Sequence, residues 1–280
     1  MKCLIGFILL TAAVAQTAPP RKVYISVDME GISGVANEAL VSAAGSEYDR
    51  GRKLMAADTN AAIRGAFAAG AHEIVVNDSH GSHTNLRLED LAPGVRLITD
   101  TFKRYGMMQG LDETFDAALF IGYHAKAGST RGFFAHTGDA NLKDLEIDGR
   151  SVGEGSMNEL LAAWYGVPVV LITGDDVAVE QFKEFAPNVR GVVVKRAINT
   201  RSGSAPGHRT CCSGSHCRCA QDSAAEGGIS SRQAAFPRYA DSGVSRDSSH
   251  YGTAGPGYYC LQLGFHASRL RSDPPALSLD

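Results

Sequence analysis

From Lys22 to Arg201 short apolar runs alternate with stretches whose apolar residues recur at helical spacing. Lys22–Val27, Glu73–Val76, Val95–Ile98, Ala117–Ile121, Leu145–Ile147, Pro168–Ile172 and Gly191–Val194 read as strands. Glu47–Ala69 reads as a helix, with Leu54, Ala57, Ala61, Ile63 and Phe67 near one face and Gly70 closing it. Met157–Tyr165 and Val177–Phe185 read as later helices. Strands and helices that alternate at such short intervals predict an α/β fold, a mostly parallel sheet flanked by helices. Beyond Arg201 the periodicity is lost. No Lys follows Lys195, five of the six Cys lie in this part, and Ser, Gly and Arg dominate. Residues 202–280 are therefore expected to form an irregular or disordered tail, with the bias of a GC-rich message read out of frame.

The first residues follow another pattern. Lys2 precedes the apolar run Leu4–Ala13, which ends in Ala13-Val14-Ala15 before Gln16. Residues 1–15 thus read as a secretory signal peptide, and the expected location is exported, periplasmic or extracellular. The run is too short to span a bilayer, so no stable membrane insertion is expected. At 280 residues and 44% hydrophobic content the chain can bury a substantial core, and residues 22–201 are expected to form its α/β domain. A net charge of −3 supplies no basic footprint for nucleic acid. In the tail, Cys211, Cys212, His216, Cys217 and Cys219 are soft-metal ligands, but their spacing matches no usual zinc frame.

Chemistry concentrates where strands end. Val23-Tyr-Ile-Ser-Val-Asp-Met-Glu-Gly-Ile-Ser-Gly34 is an alternating strand that stops in two carboxylates, Asp28 and Glu30. Strand side chains alternate faces, so the two point the same way and repel unless a cation lies between them. His80 follows the strand ending Val75-Val-Asn, and His124 follows Ala118-Leu-Phe-Ile-Gly-Tyr. Ligands gather at the carboxyl ends of strands in open α/β sheets, so these three loops should converge on one crevice. Glu154, after Ser151-Val-Gly, opens the helix that runs to Tyr165, and His136 sits in the loop continuing from His124. Asp78 is a candidate to orient a ligand histidine. His72, His83 and the histidines of the tail read as surface or supporting residues.

Asp28, Glu30, His80, His124 and Glu154 form a mixed oxygen and nitrogen set of the kind zinc accepts in hydrolytic sites. Five ligands are too many for one tetrahedral zinc that also holds water, whereas two ions sharing a carboxylate accommodate them. Three carboxylates against two divalent cations leave one positive charge, which a hydroxide neutralises, giving a nucleophile at neutral pH. His136 is then expected to move a proton or steady the oxyanion.

Ser26-Val-Asp-Met-Glu-Gly-Ile-Ser-Gly34, Val76-Asn-Asp-Ser-His80, Gly122-Tyr-His-Ala125 and Val152-Gly-Glu154, in this order and spacing, resemble the D-aminopeptidase family of zinc metallopeptidases of the dipeptide-permease-operon type. The resemblance covers about residues 22–201. It implies that Asp28, Glu30, His80, His124 and Glu154 bind two zinc ions, with Asp28 shared, Glu30 paired with His124 and His80 with Glu154. It also implies that His136 is the catalytic histidine, that short peptides with N-terminal D-residues are the substrates, and that the chain assembles into a ring-like homo-oligomer. Two further readings compete with an exported metallo-aminopeptidase. One is a metal-binding relative or scaffold that has lost turnover through its tail. The other is a serine hydrolase, which the chain opposes by lacking a Gly-x-Ser-x-Gly elbow.

Overall fold

The computed structural model describes residues 22–204 and, as backbone alone, the strand Ala267–Arg271. The expected signal peptide and the Cys211–Cys219 cluster lie outside the described residues. Along the chain come β1 (Lys22–Val27), α1 (Glu38–Val41), α2 (Tyr48–Ala68), β2 (Glu73–Asp78), β3 (Val95–Ile98) and β4 (Ala117–Tyr123). Then follow β5 (Asp144–Ile147), β6 (Arg150–Ser151), α3 (Glu154–Trp164), β7 (Val169–Asp175), α4 (Asp176–Lys183), β8 (Arg190–Ala197), β9 (Gly203–Ser204) and β10 (Ala267–Arg271). Among the described residues no helix is long and apolar enough to cross a membrane.

The main sheet has the order β3-β2-β1-β4-β7-β8-β9, parallel throughout except for β9. A parallel sheet must be covered on both faces, and period-two alternation decides which side chain meets which layer. Val23, Ile25 and Val27 of β1 pack with Met55, Ala62, Ile63 and Ala66 of α2. Tyr24, between them in sequence, points to the opposite layer with Phe120, Tyr123, Leu161, Ala162 and Phe182, which brings in α3 and α4. The order of the strands reverses at β1 and β4, and such a switch point opens a crevice at the carboxyl ends of the two strands.

Two glycines allow β1 and β4 to close on each other there. Gly31 donates its N–H to Gly122 O at 2.7 Å, and a Cβ on Gly31 would lie 2.0 Å from Tyr123 O. Gly122 has φ +76°, and a Cβ on it would lie 2.3 Å from Asp28 O. The carboxyl ends of the two strands are thus in backbone contact, which brings the residue after each strand to one place.

All seven expected strands and all three expected helices are present, with ends shifted by up to three residues. The short α1, the two-residue β6 and β9, and the 3₁₀ turns at Leu88–Asp90 and Gly106–Met108 carry too few apolar repeats to be read from the pattern. Within residues 202–280, expected to be irregular, two strands are seen. β9 pairs antiparallel with β8, and β10 pairs antiparallel with β5 in a three-stranded sheet β10-β5-β6. The reason is the partner: β5 pairs with β6 on one edge only, and its other edge offers unpaired N–H and C=O groups that accept a further strand.

Glu159 of α3 is buried, and its Oε2 has no hydrogen-bond partner. Burial pushes its carboxyl up from 4.5 to about 8. The fold therefore keeps this group neutral between those values, where the unfolded chain ionises it, and stability falls as pH rises across that window. Glu159→Gln is neutral at every pH. Its unfolding temperature should match wild type near pH 4.5 and exceed it at pH 8. Parallel profiles in a thermal melt series would show that ionisation of Glu159 is not what sets the slope.

Candidate metal centre

Asp28 follows β1 directly and is 2% exposed. Its Oδ1 accepts the Met29 N–H at 2.8 Å, while its Oδ2 is buried without a hydrogen-bond partner. Oδ1 lies 3.4 Å from His80 Nδ1, and Oδ2 lies 3.3 Å from His124 Nε2. One carboxylate thus turns an oxygen to each of two imidazoles.

His80 stands in the loop after β2, with its Nδ1 2.9 Å from Glu30 Oε2. Its Nε2 donates to Val41 O of α1 at 2.9 Å, which leaves Nδ1 free to face the carboxylates. Asp78 acts on the loop and not on the ring. Its carboxylate accepts from Asn85 N (2.6 Å), Asn85 Nδ2 (2.7 Å) and Leu86 N (2.7 Å), and this pins the segment that presents His80. The expectation that Asp78 orients the imidazole gives way to Val41, because a backbone carbonyl of a neighbouring helix reaches Nε2 first.

His124 follows β4 with a side chain 1% exposed. Its Nδ1 donates to Ala125 O at 2.9 Å, and its Nε2 lies 3.1 Å from Glu154 Oε2. Glu154 is the first residue of α3, where a negative charge suits the helix dipole, and its Oε1 accepts the Gly138 N–H at 2.6 Å. His136 stacks on His124, ring centroids 4.0 Å apart and 10° from parallel. Its Nδ1 donates to Phe134 O at 2.8 Å, and its Nε2 lies 3.6 Å from Glu154 Oε1. Its side chain is 25% exposed, so it stands at the mouth of the cluster.

All six residues singled out in the sequence therefore meet. Two close groups result, Asp28–Glu30–His80 and His124–His136–Glu154. Proximity places Glu30 beside His80 and His124 beside Glu154, where the resemblance implies the crossed pairing. The grouping follows the layout of the fold: β1 and β2 are neighbours in the sheet, and His124 at the end of β4 faces the start of α3. Ser79, adjacent to His80, turns its hydroxyl to Ser26 Oγ at 2.8 Å and Met107 O at 3.2 Å, away from any role as a nucleophile on that histidine. His72 is exposed, and His83 is half-buried with Nδ1 unpartnered. Burial, then the charges of Lys103 and His80, lowers the His83 imidazole to about 4.

The electrostatics call for cations. Burial alone would push the imidazoles of His80 and His124 down, yet Glu30 and Glu154 with Asp28 hold both well above the usual range. Burial and the charge of Glu30 raise Asp28. Burial would also raise Glu30 and Glu154, but the imidazoles facing them win and hold Glu30 well below its usual range and Glu154 at about 2. Three buried carboxylates draw positive charge toward one point, and an Asp28 oxygen there has no hydrogen-bond donor. Divalent cations satisfy both conditions, and an O/N donor set without thiolate fits zinc at a hydrolytic site.

Neither Val41 nor the turn at Phe134 was visible as part of this site in the sequence, since each acts through a carbonyl that every residue carries.

The peptidase M55 family, described as D-aminopeptidase, matches residues 21–230, which extends beyond the boundary at Arg201. A D-aminopeptidase of Bacillus subtilis (strain 168) is 43% identical over 178 residues, 64% of this chain and 65% of that protein. The chain thus matches just under two thirds of that relative's length. The solved structure of the Zn-dependent D-aminopeptidase DppA from Bacillus subtilis, a self-compartmentalizing protease, superposes with a TM-score of 0.69 at 38% identity, covering 74% of this chain and 73% of that one.

Proposed function

Since the chain belongs to the D-aminopeptidase family, we propose that it is an exported zinc-dependent aminopeptidase that removes N-terminal D-residues from short peptides. The observation that carries the reading is Asp28, whose two oxygens face His80 and His124 at 3.4 and 3.3 Å. Two zinc ions would be held by Asp28, shared, with Glu30, His80, His124 and Glu154, and when bound they supply Lewis acidity and lower the pKa of water toward about 7.

The chain's own groups do the rest. Val41 O and Ala125 O fix the tautomers of His80 and His124, so each presents one lone pair inward. Phe134 O fixes His136 likewise, leaving Nε2 as the atom that takes or gives a proton at the scissile amide. The partial exposure of His136 suits contact with a peptide entering from solvent. Similarity to the D-aminopeptidase of Bacillus subtilis supports the handedness of the substrate, and similarity to the self-compartmentalizing DppA supports assembly of this chain into a compartment-forming homo-oligomer. The pattern Leu4–Ala13 followed by Ala13-Val14-Ala15 supports export, to the periplasm or beyond.

Dipeptides and amides that begin with D- or L-alanine test the reading directly. The D-series should be cleaved at the N-terminal bond, a chelator should stop cleavage, zinc should restore it, and a serine-directed inhibitor should leave it intact. Zinc binding with no cleavage of either series would convert the protein to a metal-binding relative without turnover.

A further inference from the structure

We infer that Lys195 is a positioning residue for Glu30, holding the turn after β1 in place through its main chain. The inference rests on the two-zinc reading above. Lys195 lies on β8, opposite Asp175 of β7, and is 2% exposed. Its Nζ donates to Glu30 O at 2.5 Å and to Val35 O at 2.8 Å, so one ammonium ties both ends of the turn Glu30–Val35 to the sheet. The same Nζ sits 4.8 Å from the centroid of the Phe133 ring. Phe133 N donates to Asp175 Oδ2 at 2.8 Å, and three residues further on stands His136. A single buried cation therefore touches both the segment that carries Glu30 and the segment that leads to His136.

Burying an ammonium is costly unless it is paired and hydrogen-bonded, and the neighbouring inward positions of β8, Val192 and Val194, are apolar. What the lysine achieves that an apolar residue would not is to fix the Glu30 carbonyl, and with it the Cα from which the Glu30 carboxylate reaches His80. The turn has two weaker internal bonds, Ile32 N to Met29 O at 3.1 Å and Val35 N to Ile32 O at 3.2 Å. Its amides are anchored outward by Gly31 N to Gly122 O at 2.7 Å and Ser33 N to Asp58 Oδ2 at 2.8 Å, whereas Lys195 holds its carbonyls at Glu30 and Val35. Without Lys195 the carboxylate keeps its chemistry, but the Glu30 carbonyl loses the bond that holds it, and the peptide is left to the Gly31 N–H bond to Gly122 O alone. Groups that hold a metal ligand in place are commonly worth 10- to 100-fold in metal affinity.

The test titrates zinc against a competing chelator into metal-free wild type, Lys195→Met and, as a control, Ile63→Val, a core truncation on α2. Thermal unfolding of the metal-free proteins is measured alongside. In Lys195→Met one zinc equivalent should weaken by about 10- to 100-fold while the other stays near wild type. Ile63→Val should keep both affinities whatever its loss of unfolding temperature. If Lys195→Met does not fold, Lys195→Arg, which keeps charge and donors, should bind that equivalent more tightly than Lys195→Gln. Wild-type affinity for both ions in Lys195→Met, or equal weakening of both in step with metal-free stability, overturns the inference alone. A wild type that takes up no zinc overturns the two-zinc reading and the inference with it.

Discussion

Alanine at His124 is expected to strip the purified protein of bound zinc and reduce peptide hydrolysis to background. The imidazole is wholly enclosed, with Nδ1 spent on Ala125 O and Nε2 directed between Glu154 Oε2 at 3.1 Å and Asp28 Oδ2 at 3.3 Å. Among the described residues no other nitrogen is placed to take that position. His136 lies in a parallel plane 4.0 Å away and is held by Phe134 O, so it cannot rotate into the gap without losing its own hydrogen bond. The remaining carboxylates would then repel one another inside a buried pocket, and they would relieve that repulsion by protonation instead of by binding metal. Catalysis that depends on bringing the pKa of water from 15.7 to about 7 has no substitute among the side chains left. Asp28→Ala should behave in the same way, because Asp28 faces an imidazole of each group, His80 at 3.4 Å and His124 at 3.3 Å. Elemental analysis of each purified variant checks the assignment, with a thermal melt of the metal-free protein to confirm that the fold survives. Full zinc content in either variant would remove that residue from the ligand set.

The six residues of the centre were legible because chemistry and topology coincide in them. Asp28, His80 and His124 each follow an apolar strand that pattern alone identifies, and the rule that open parallel sheets bind ligands at their carboxyl ends places those three together without any structure. Glu154 was legible for a different reason, as an acidic residue at the start of a helix. What the pattern did not reveal was everything carried by the main chain or by a lysine at the end of an apolar run. Val41, Ala125 and Phe134 contribute carbonyls, which have no signature in sequence. Lys195 reads as the polar end of the run Val192-Val-Val194 and gives no sign that it reaches the turn after β1 at Glu30. The pairing of ligands was likewise invisible, since it depends on which strands are neighbours, and the order β3-β2-β1-β4 is a property of the sheet.

His136→Ala should separate catalysis from metal binding: zinc content unchanged, turnover lower by roughly 10²- to 10⁴-fold, the usual size of a lost acid–base group. The competing role is real, because His136 Nε2 lies 3.6 Å from Glu154 Oε1 and the imidazole belongs to the same close group as His124. Two features favour proton transfer. The side chain is 25% exposed, against 1% for His124, so it faces the side from which a peptide arrives. It also stands on the loop between β4 and β5, outside the strand ends and the helix start that carry Asp28, His124 and Glu154. A residue so placed can follow the leaving amine, and its fixed Nδ1–H leaves Nε2 as the single exchanging atom. The loss should therefore appear in kcat more than in KM, since the group acts on the reacting amide and holds little of the ground-state peptide. Zinc lost together with activity would make His136 a ligand of the second group, and the proton-transfer role would pass to another residue at the mouth of the crevice.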